Sequence, residues 1–202
     1  MSARKIAVLT AGLSQPSSTR MLADQLAEAA RRELGARGQG VEVTVLELRD
    51  LAHDVVNNML TGFPSEQLQE ALDAVVGADA VIAVTPIFSA SFSGLFKSFV
   101  DVLPRESLVG KPVLIAATAG TARHSLALEH ALRPMFVYLH AVVAPTAVFA
   151  ATEDWAKRGR DTVHERVQKA GAELAALIRT REPSTKDPFE LTTSFEDLLR
   201  RS

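Results

Sequence analysis

Cysteine is absent from the 202 residues, which excludes a disulfide framework, a thiolate nucleophile and any Cys-ligated metal. Neither sign of charge is in excess: 22 Lys plus Arg against 24 Asp plus Glu leave a formal net charge of −2, too balanced to hold a nucleic-acid backbone by charge alone. No run approaches the roughly 18 uninterrupted apolar residues that a membrane helix needs. A secretory h-region is missing too, because Met1 to Lys5 leads straight into the short run Ile6-Ala7-Val8-Leu9-Thr10 without an A-x-A-type site. The expectation is a cytoplasmic protein with neither a membrane nor a nucleic acid as partner. The histidines, His53, His124, His130, His140 and His164, form no H-E-x-x-H pair and have no carboxylate cluster beside them, so no metal site is expected.

What is present is a chain 47% apolar and 23% charged, a composition that fits one globular domain. Short β-branched runs recur at Lys5 to Thr10, Val41 to Leu46, Ala80 to Thr85, Pro112 to Thr118 and Val142 to Phe149, and read as strands buried on both faces. Helix-period segments alternate with them at Thr19 to Arg37, Ser65 to Val76, Ser93 to Leu103, Ser125 to His140 and Asp161 to Arg181. Such alternation implies an α/β fold, a doubly wound five-stranded parallel sheet joined by right-handed crossovers. Its simplest strand order is 2-1-3-4-5, which puts a ligand crevice beyond the carboxyl ends of the first and third strands. The domain is expected to span residues 1–181. Residues 182–202, with Pro183 and Pro188 ahead of Phe189, Leu191, Phe195, Leu198 and Leu199, read as a C-terminal tail.

The loop after the first strand, Ala11-Gly12-Leu13-Ser14-Gln15-Pro16-Ser17-Ser18-Thr19-Arg20, gathers four hydroxyls and a cation at a helix start. One cap needs one hydroxyl, so the surplus suits a phosphate, where unpaired N–H groups and the positive dipole end add to the attraction. The loop lacks G-x-G-x-x-G and G-x-x-x-x-G-K-[ST], so neither a dinucleotide pyrophosphate nor a Walker-type triphosphate site is supported. A terminal phosphate monoester fits better. The third strand runs into Thr85-Pro86-Ile87-Phe88-Ser89, where Pro86, having no N–H, is expected to leave the ladder and turn the chain outward. Phe88 and Phe92 are candidates to wall a planar ring. Lys97 and Asp101 read as a surface i,i+4 pair. The fourth strand ends in small residues, Ala119-Gly120-Thr121, which let backbone approach a ring edge. A phosphate anchor and a ring slot at this spacing have the length and polarity of flavin mononucleotide, with an adenine nucleotide as the alternative.

At these three loops, over residues 4 to 150, the sequence resembles the NADPH-dependent FMN reductase family of flavodoxin-like proteins, especially reductases that supply reduced flavin to luciferase-like monooxygenases. Thr85 through Asp101 is similar to the family's T-P-x-[YF]-x-x-S-x-x-G-x-x-K-x-x-x-D signature, with one more residue between Phe88 and Gly94. Thr118-Ala119-Gly120-Thr121 with His124 resembles its T-G-G-T loop. The resemblance implies FMN and NAD(P)H as cofactors. It places Ser14, Ser17, Ser18, Thr19 and Arg20 at the FMN phosphate, Pro86, Ile87, Phe88 and Ser89 along the flavin, and Ala119, Gly120 and Thr121 at its pyrimidine end. Phe88 stands where many members carry Tyr, and Ala119 where Gly is usual, which implies looser or differently angled flavin binding. No side chain is assigned as catalytic, because the hydride passes between two cofactors. The implied function is an NAD(P)H-dependent FMN reductase serving a flavin-dependent monooxygenase. An FMN-bound quinone or azo reductase and a flavodoxin-type electron carrier are the alternatives. The apolar segment Ser125 to His140, with Leu95, Phe96, Phe99 and Val100 before it, carries more apolar surface than one sheet face covers, so a homodimer or homotetramer is expected.

Overall fold

Strands that carry apolar side chains on both faces need cover on both sides, and the chain supplies it with two helical layers. The computed structural model describes residues 3–155 and 163–181. The tail expected at 182–202 lies outside them. The parallel strands are β1 (Arg4–Thr10), β2 (Val41–Glu47), β3 (Ala80–Phe88) and β5 (Pro112–Ala119), and β4 (Ser91–Phe92) is a two-residue antiparallel partner of β3. The last parallel position is shared by β6 (Val142–Val143) and β7 (Val148–Ala151), both paired with β5. The path β2-β1-β3-β5-β6 is the expected 2-1-3-4-5 order with its fifth strand cut in two. Seven strands therefore replace the expected five.

The cut has a visible cause. Between the two paired stretches the last strand carries four residues, Ala144 to Ala147, against two on β5, Leu114 and Ile115. Pro145 stands in the bulge, where no ladder N–H is asked of it. Arg133 donates to the carbonyls of Ala144 and Pro145 at 3.1 and 3.2 Å, and Glu173 accepts from Thr146 N and Oγ1 at 2.7 and 2.9 Å. β2 also departs from two-sided burial. As the edge strand it leaves Glu42 and Thr44 exposed while Val41, Val43 and Val45 pack inward.

The helices are α1 (Ser18–Gly35), α2 (Ala52–Thr61), α3 (Glu66–Val76), α4 (Gly94–Asp101), α5 (Arg133–Tyr138) and α6 (Val163–Thr180). Ser17, Ser65 and Ser93 cap α1, α3 and α4 by accepting from Arg20, Leu68 and Phe96 N–H. Ile6 and Val8 face α1 and α6, whereas Ala7 and Leu9 face the layer of α3 and α4. Gly171 of α6 lies so near α1 that a Cβ there would stand 2.6 Å from Ala29 Cβ. α2, absent from the sequence-based expectation, has β-branched and Asn-rich content with a weak helix preference, and is held by burial of Val55 and by packing on α4. The expected helix Ser125 to His140 is broken into a π turn at Leu128–Leu132 followed by α5. Pro134, in the first turn of α5, cannot donate back to His130 as a continuous α-helix would require.

At the amino-terminal end of the sheet, polar groups are buried together. Arg4 Nη1 pairs with Asp79 Oδ1 at 3.1 Å, and Arg4 Nη2 donates to Arg181 O at 3.0 Å. Lys111, 2% exposed, donates from Nζ to the last carbonyls of α3, Val75 and Val76, at 2.6 and 2.8 Å. Desolvation, with the Arg181 charge, pushes this lysine down from 10.5 to about 8, against the pull of Asp79. Between those values the unfolded chain holds the proton that the folded chain has given up, so stability rises with pH from about 8 to 10.5 and the burial penalty is fully present below 8. Urea unfolding is expected to show the wild type gaining about 1 kcal/mol per pH unit relative to Lys111→Met across that window. A difference that stays flat with pH would overturn this assignment.

Candidate functional site

The carboxyl ends of β1, β3, β5 and β7 open onto a cleft of about 300 Å³. It is lined by Gly12, Leu13 and Ser14 from the first loop and by Ser18 and Thr19 from the start of α1. Pro86, Ile87 and Phe88 of β3, Thr118, Ala119 and Gly120 after β5, and Thr152 after β7 complete it. A larger hollow of about 630 Å³, between α4 and α5 and lined by Lys97, Tyr138 and His140 among others, lies at the amino-terminal end of the strands. Open α/β sheets bind ligands at the opposite end, at the switch point between the first and third strands. That is where the smaller cleft sits.

Its floor is tied across. Thr19 Oγ1 and Thr118 Oγ1 lie 2.8 Å apart in a buried hydrogen bond joining the start of α1 to the end of β5. At the end of β1, Thr10 Oγ1 is buried with no hydrogen-bond partner among the described residues. Ser18 and Thr19 occupy the first two helical positions, where backbone N–H groups have no partner within the helix. The first loop turns so sharply that a Cβ on Gly12 would stand 2.0 Å from Ser17 Oγ, the α1 cap. The lining thus offers hydroxyls from Ser14, Ser18, Thr19, Thr118 and Thr152 with helix N–H donors, and no ionisable side chain among the described residues.

The structure brings together Ser14, Ser18, Thr19, Pro86, Ile87, Phe88, Ala119 and Gly120 of the residues expected from sequence. Four others stand outside the lining. Ser17 is spent on the cap. Arg20 turns away, its Nε on Asp24 at 2.7 Å and its Nη1 on Glu47 at 2.6 Å. The Asp24 hydrogen bond, then the charges of Asp24 and Glu47, raise this guanidinium's pKa still higher, so it stays a cation committed to carboxylates. Thr121 accepts from Arg123 N–H as the cap of a short helical turn, Ala122–His124. Ser89 sits exposed at the tip of the β3–β4 hairpin, where it and Ala90 have φ of 49° and 68°.

Pro86 corrects the expectation that it leaves the ladder: it stays within β3 in register with Thr118. The carbonyl of Val84 accepts from Ala11 N–H at 3.0 Å, so two residues on the Pro86 nitrogen faces the β1 side beyond that strand's end, where no ladder bond is due. The chain turns only at Ser89 and Ala90. Phe88 is carried out to the cleft rim, while Phe92 turns inward with its ring 6.1 Å from that of Phe96. Lys97 and Asp101 form an exposed ion pair at 2.5 Å, away from the cleft. Gly12, Leu13, Thr118 and Thr152 belong to the lining without having been singled out. The first three lay in loops already under suspicion. Thr152 was hidden because the broken last strand runs past Phe149. Among the described residues no group of His, Asp and Glu could hold a metal ion, and no helix is long and apolar enough to cross a membrane.

Fold and cleft together define a flavodoxin-like α/β protein with a hydroxyl-lined crevice at its switch point. The chain belongs to the NADPH-dependent FMN reductase family, whose sequence profile matches residues 4–156. It is 35% identical over 174 residues to the NADH-dependent FMN reductase SfnE of Pseudomonas putida, covering 86% of each chain. It is 33% identical over 151 residues to an FMN reductase (NADPH) of Pseudomonas aeruginosa, covering 75% of this chain and 78% of the relative. An oxidoreductase structure from Corynebacterium diphtheriae superposes with a TM-score of 0.85 at 45% identity, over 89% of this chain and 99% of that one.

The Gly12 contact gives a direct test of the loop. Gly12→Ala is expected to displace Ser17 Oγ, cost about 1 kcal/mol of stability through the lost cap and weaken FMN binding about tenfold. Thermal melting and flavin-fluorescence titration read the two effects. Unchanged FMN affinity would remove this loop from the site.

Proposed function

We infer that the chain is an NAD(P)H-dependent FMN reductase. The observation that carries this is a cleft lined by hydroxyls and helix N–H groups at the switch point of a chain that belongs to the FMN reductase family. When bound, FMN supplies the redox chemistry, accepting a hydride from the nicotinamide ring. In this reading Ser14, Ser18 and Thr19 hold the phosphate, with the first-turn N–H groups of α1 satisfying its remaining oxygens. Ser17 shapes that loop, and Arg20 supplies long-range positive potential behind it. Pro86, Ile87 and Phe88 form the wall along the ring, with Ser89 at the hairpin tip beyond it. Ala119, Gly120 and Thr121 stand at the pyrimidine end, where backbone N–H groups would stabilise charge developing on the reduced ring.

Delivery of reduced FMN to a flavin-dependent monooxygenase and a cytoplasmic location complete the proposal. A homodimer or homotetramer goes with it. Leu126, Val137 and Tyr138 around α5, and Val56, Met59, Leu60 and Phe63 on and after α2, are exposed in groups, and grouped apolar side chains of this kind mark association surfaces. Light scattering at micromolar concentration is expected to give a multiple of the monomer mass. A monomer mass throughout would remove the assembly from the proposal.

The activity is read by following NADH and NADPH oxidation in air while free FMN is titrated from zero. Saturable dependence on added FMN, with little turnover without it, is the expected result for a reductase that exchanges its flavin. Full activity without added FMN would make the flavin a resident group, as in a quinone or azo reductase. Absence of oxidation at every FMN level would overturn the enzyme reading in favour of an electron carrier.

A further inference from the structure

We propose that Arg49, which lies outside the cleft, is the positioning residue that sets the shape of the phosphate-reading loop; this rests on the FMN reading above. Arg49 stands in the helical turn Leu48–Leu51 that follows β2, and its side chain is largely buried. Its guanidinium reaches across to the first loop. Nη1 donates to Ser14 O at 3.2 Å. With the Gln15 carboxamide turned so that its oxygen faces the guanidinium, that oxygen accepts from Nη1 at 3.1 Å and from Nη2 at 2.5 Å. Nη2 also pairs with Glu47 Oε2 at 2.8 Å, and Nε lies 3.5 Å from Asp50 Oδ1.

The loop needs this clasp. Its start is fixed by Ala11 N–H on Val84 O, and its end by the Ser17 cap. Between those anchors, residues 13–16 are exposed, and Ser14 Oγ bonds only within the loop, to Pro16 O at 3.0 Å. Among the described residues, Arg49 makes the only hydrogen bonds that reach Ser14 and Gln15 from outside the loop. Glu47 extends the clasp, dividing its two oxygens between Arg49 and Arg20. The loop and the first turn of α1 are thereby referred to one strand end. A guanidinium presents a planar fork of donors that can serve a carbonyl, a carboxamide and a carboxylate together, which an ammonium on a flexible stem cannot hold in one geometry.

The experiment compares FMN with riboflavin, which has the same ring and no phosphate, on wild type, Arg49→Met, Arg49→Lys and Gln15→Ala. Wild type is expected to bind FMN more tightly than riboflavin. Arg49→Met is expected to raise Kd and KM for FMN about tenfold, with kcat at saturating FMN and riboflavin affinity unchanged. Arg49→Lys is expected to recover only part of the loss. Gln15→Ala, an exposed change that tests the clasp without disturbing the fold, is expected to weaken FMN about threefold. Full recovery in Arg49→Lys would show that charge alone acts, and equal loss of both flavins in Arg49→Met would show a general structural role. Either overturns the proposal, as does wild-type FMN affinity in Gln15→Ala. Wild type binding both flavins equally would instead overturn the phosphate reading of the loop, a failure visible before any variant is made.

Discussion

The central strands β1, β3 and β5 are buried on both faces, and the rest of the molecule follows from that constraint. Backbone polar groups in such strands must bond to neighbouring strands, and because β1, β2, β3 and β5 pair in parallel each return among them is made by a helical crossover. Connections can then emerge only at the two ends of the sheet. At the carboxyl end the order β2-β1-β3-β5 sends the crossovers from β1 and β3 to opposite faces, which leaves a crevice between their loops. The hydroxyls of the first loop, the wall at Phe88 and the small residues after β5 converge there because the sheet leaves them no other place.

Much of this was legible in the order of the residues. Runs such as Ile6 to Thr10 and Val81 to Thr85 announce two-sided burial, and their alternation with helix-period segments fixes the class of fold. Eight of the proposed site residues line one cleft because loop position and strand end are local properties. What escaped were features decided by partners distant in sequence. Pro86 looks like a ladder breaker until the end of β1 beside it is known. α2 has poor intrinsic preference and exists because Val55 is buried in the packed layer. The pairing of Arg20 with Glu47, 27 positions away, leaves no trace in the local sequence. Arg49 carries no motif at all; its role depends on a loop 35 positions earlier.

The β3–β4 hairpin shows how the wall of the cleft is built. Ser89 and Ala90 hold positive φ without the freedom of glycine, a conformation that costs side-chain-bearing residues on the order of 1 kcal/mol each. The pairings Ile87 with Phe92 and Phe88 with Ser91 hold the turn closed. Phe88 is consequently fixed at the rim by backbone pairing while its ring remains half-exposed, a rigid flank beside a cleft whose polar donors are neutral among the described residues.

That neutrality has a kinetic meaning. Where a phosphate is held against lysine or arginine, its departure strands a desolvated cation, and the resulting barrier lengthens residence. Here Arg20 and Arg49 are balanced by carboxylates, and among the described residues the lining offers a phosphate hydroxyls and amides that water can rehydrate. In the proposed site, retention of the flavin then rests on ring contacts and neutral hydrogen bonds rather than on a buried ion pair at the phosphate.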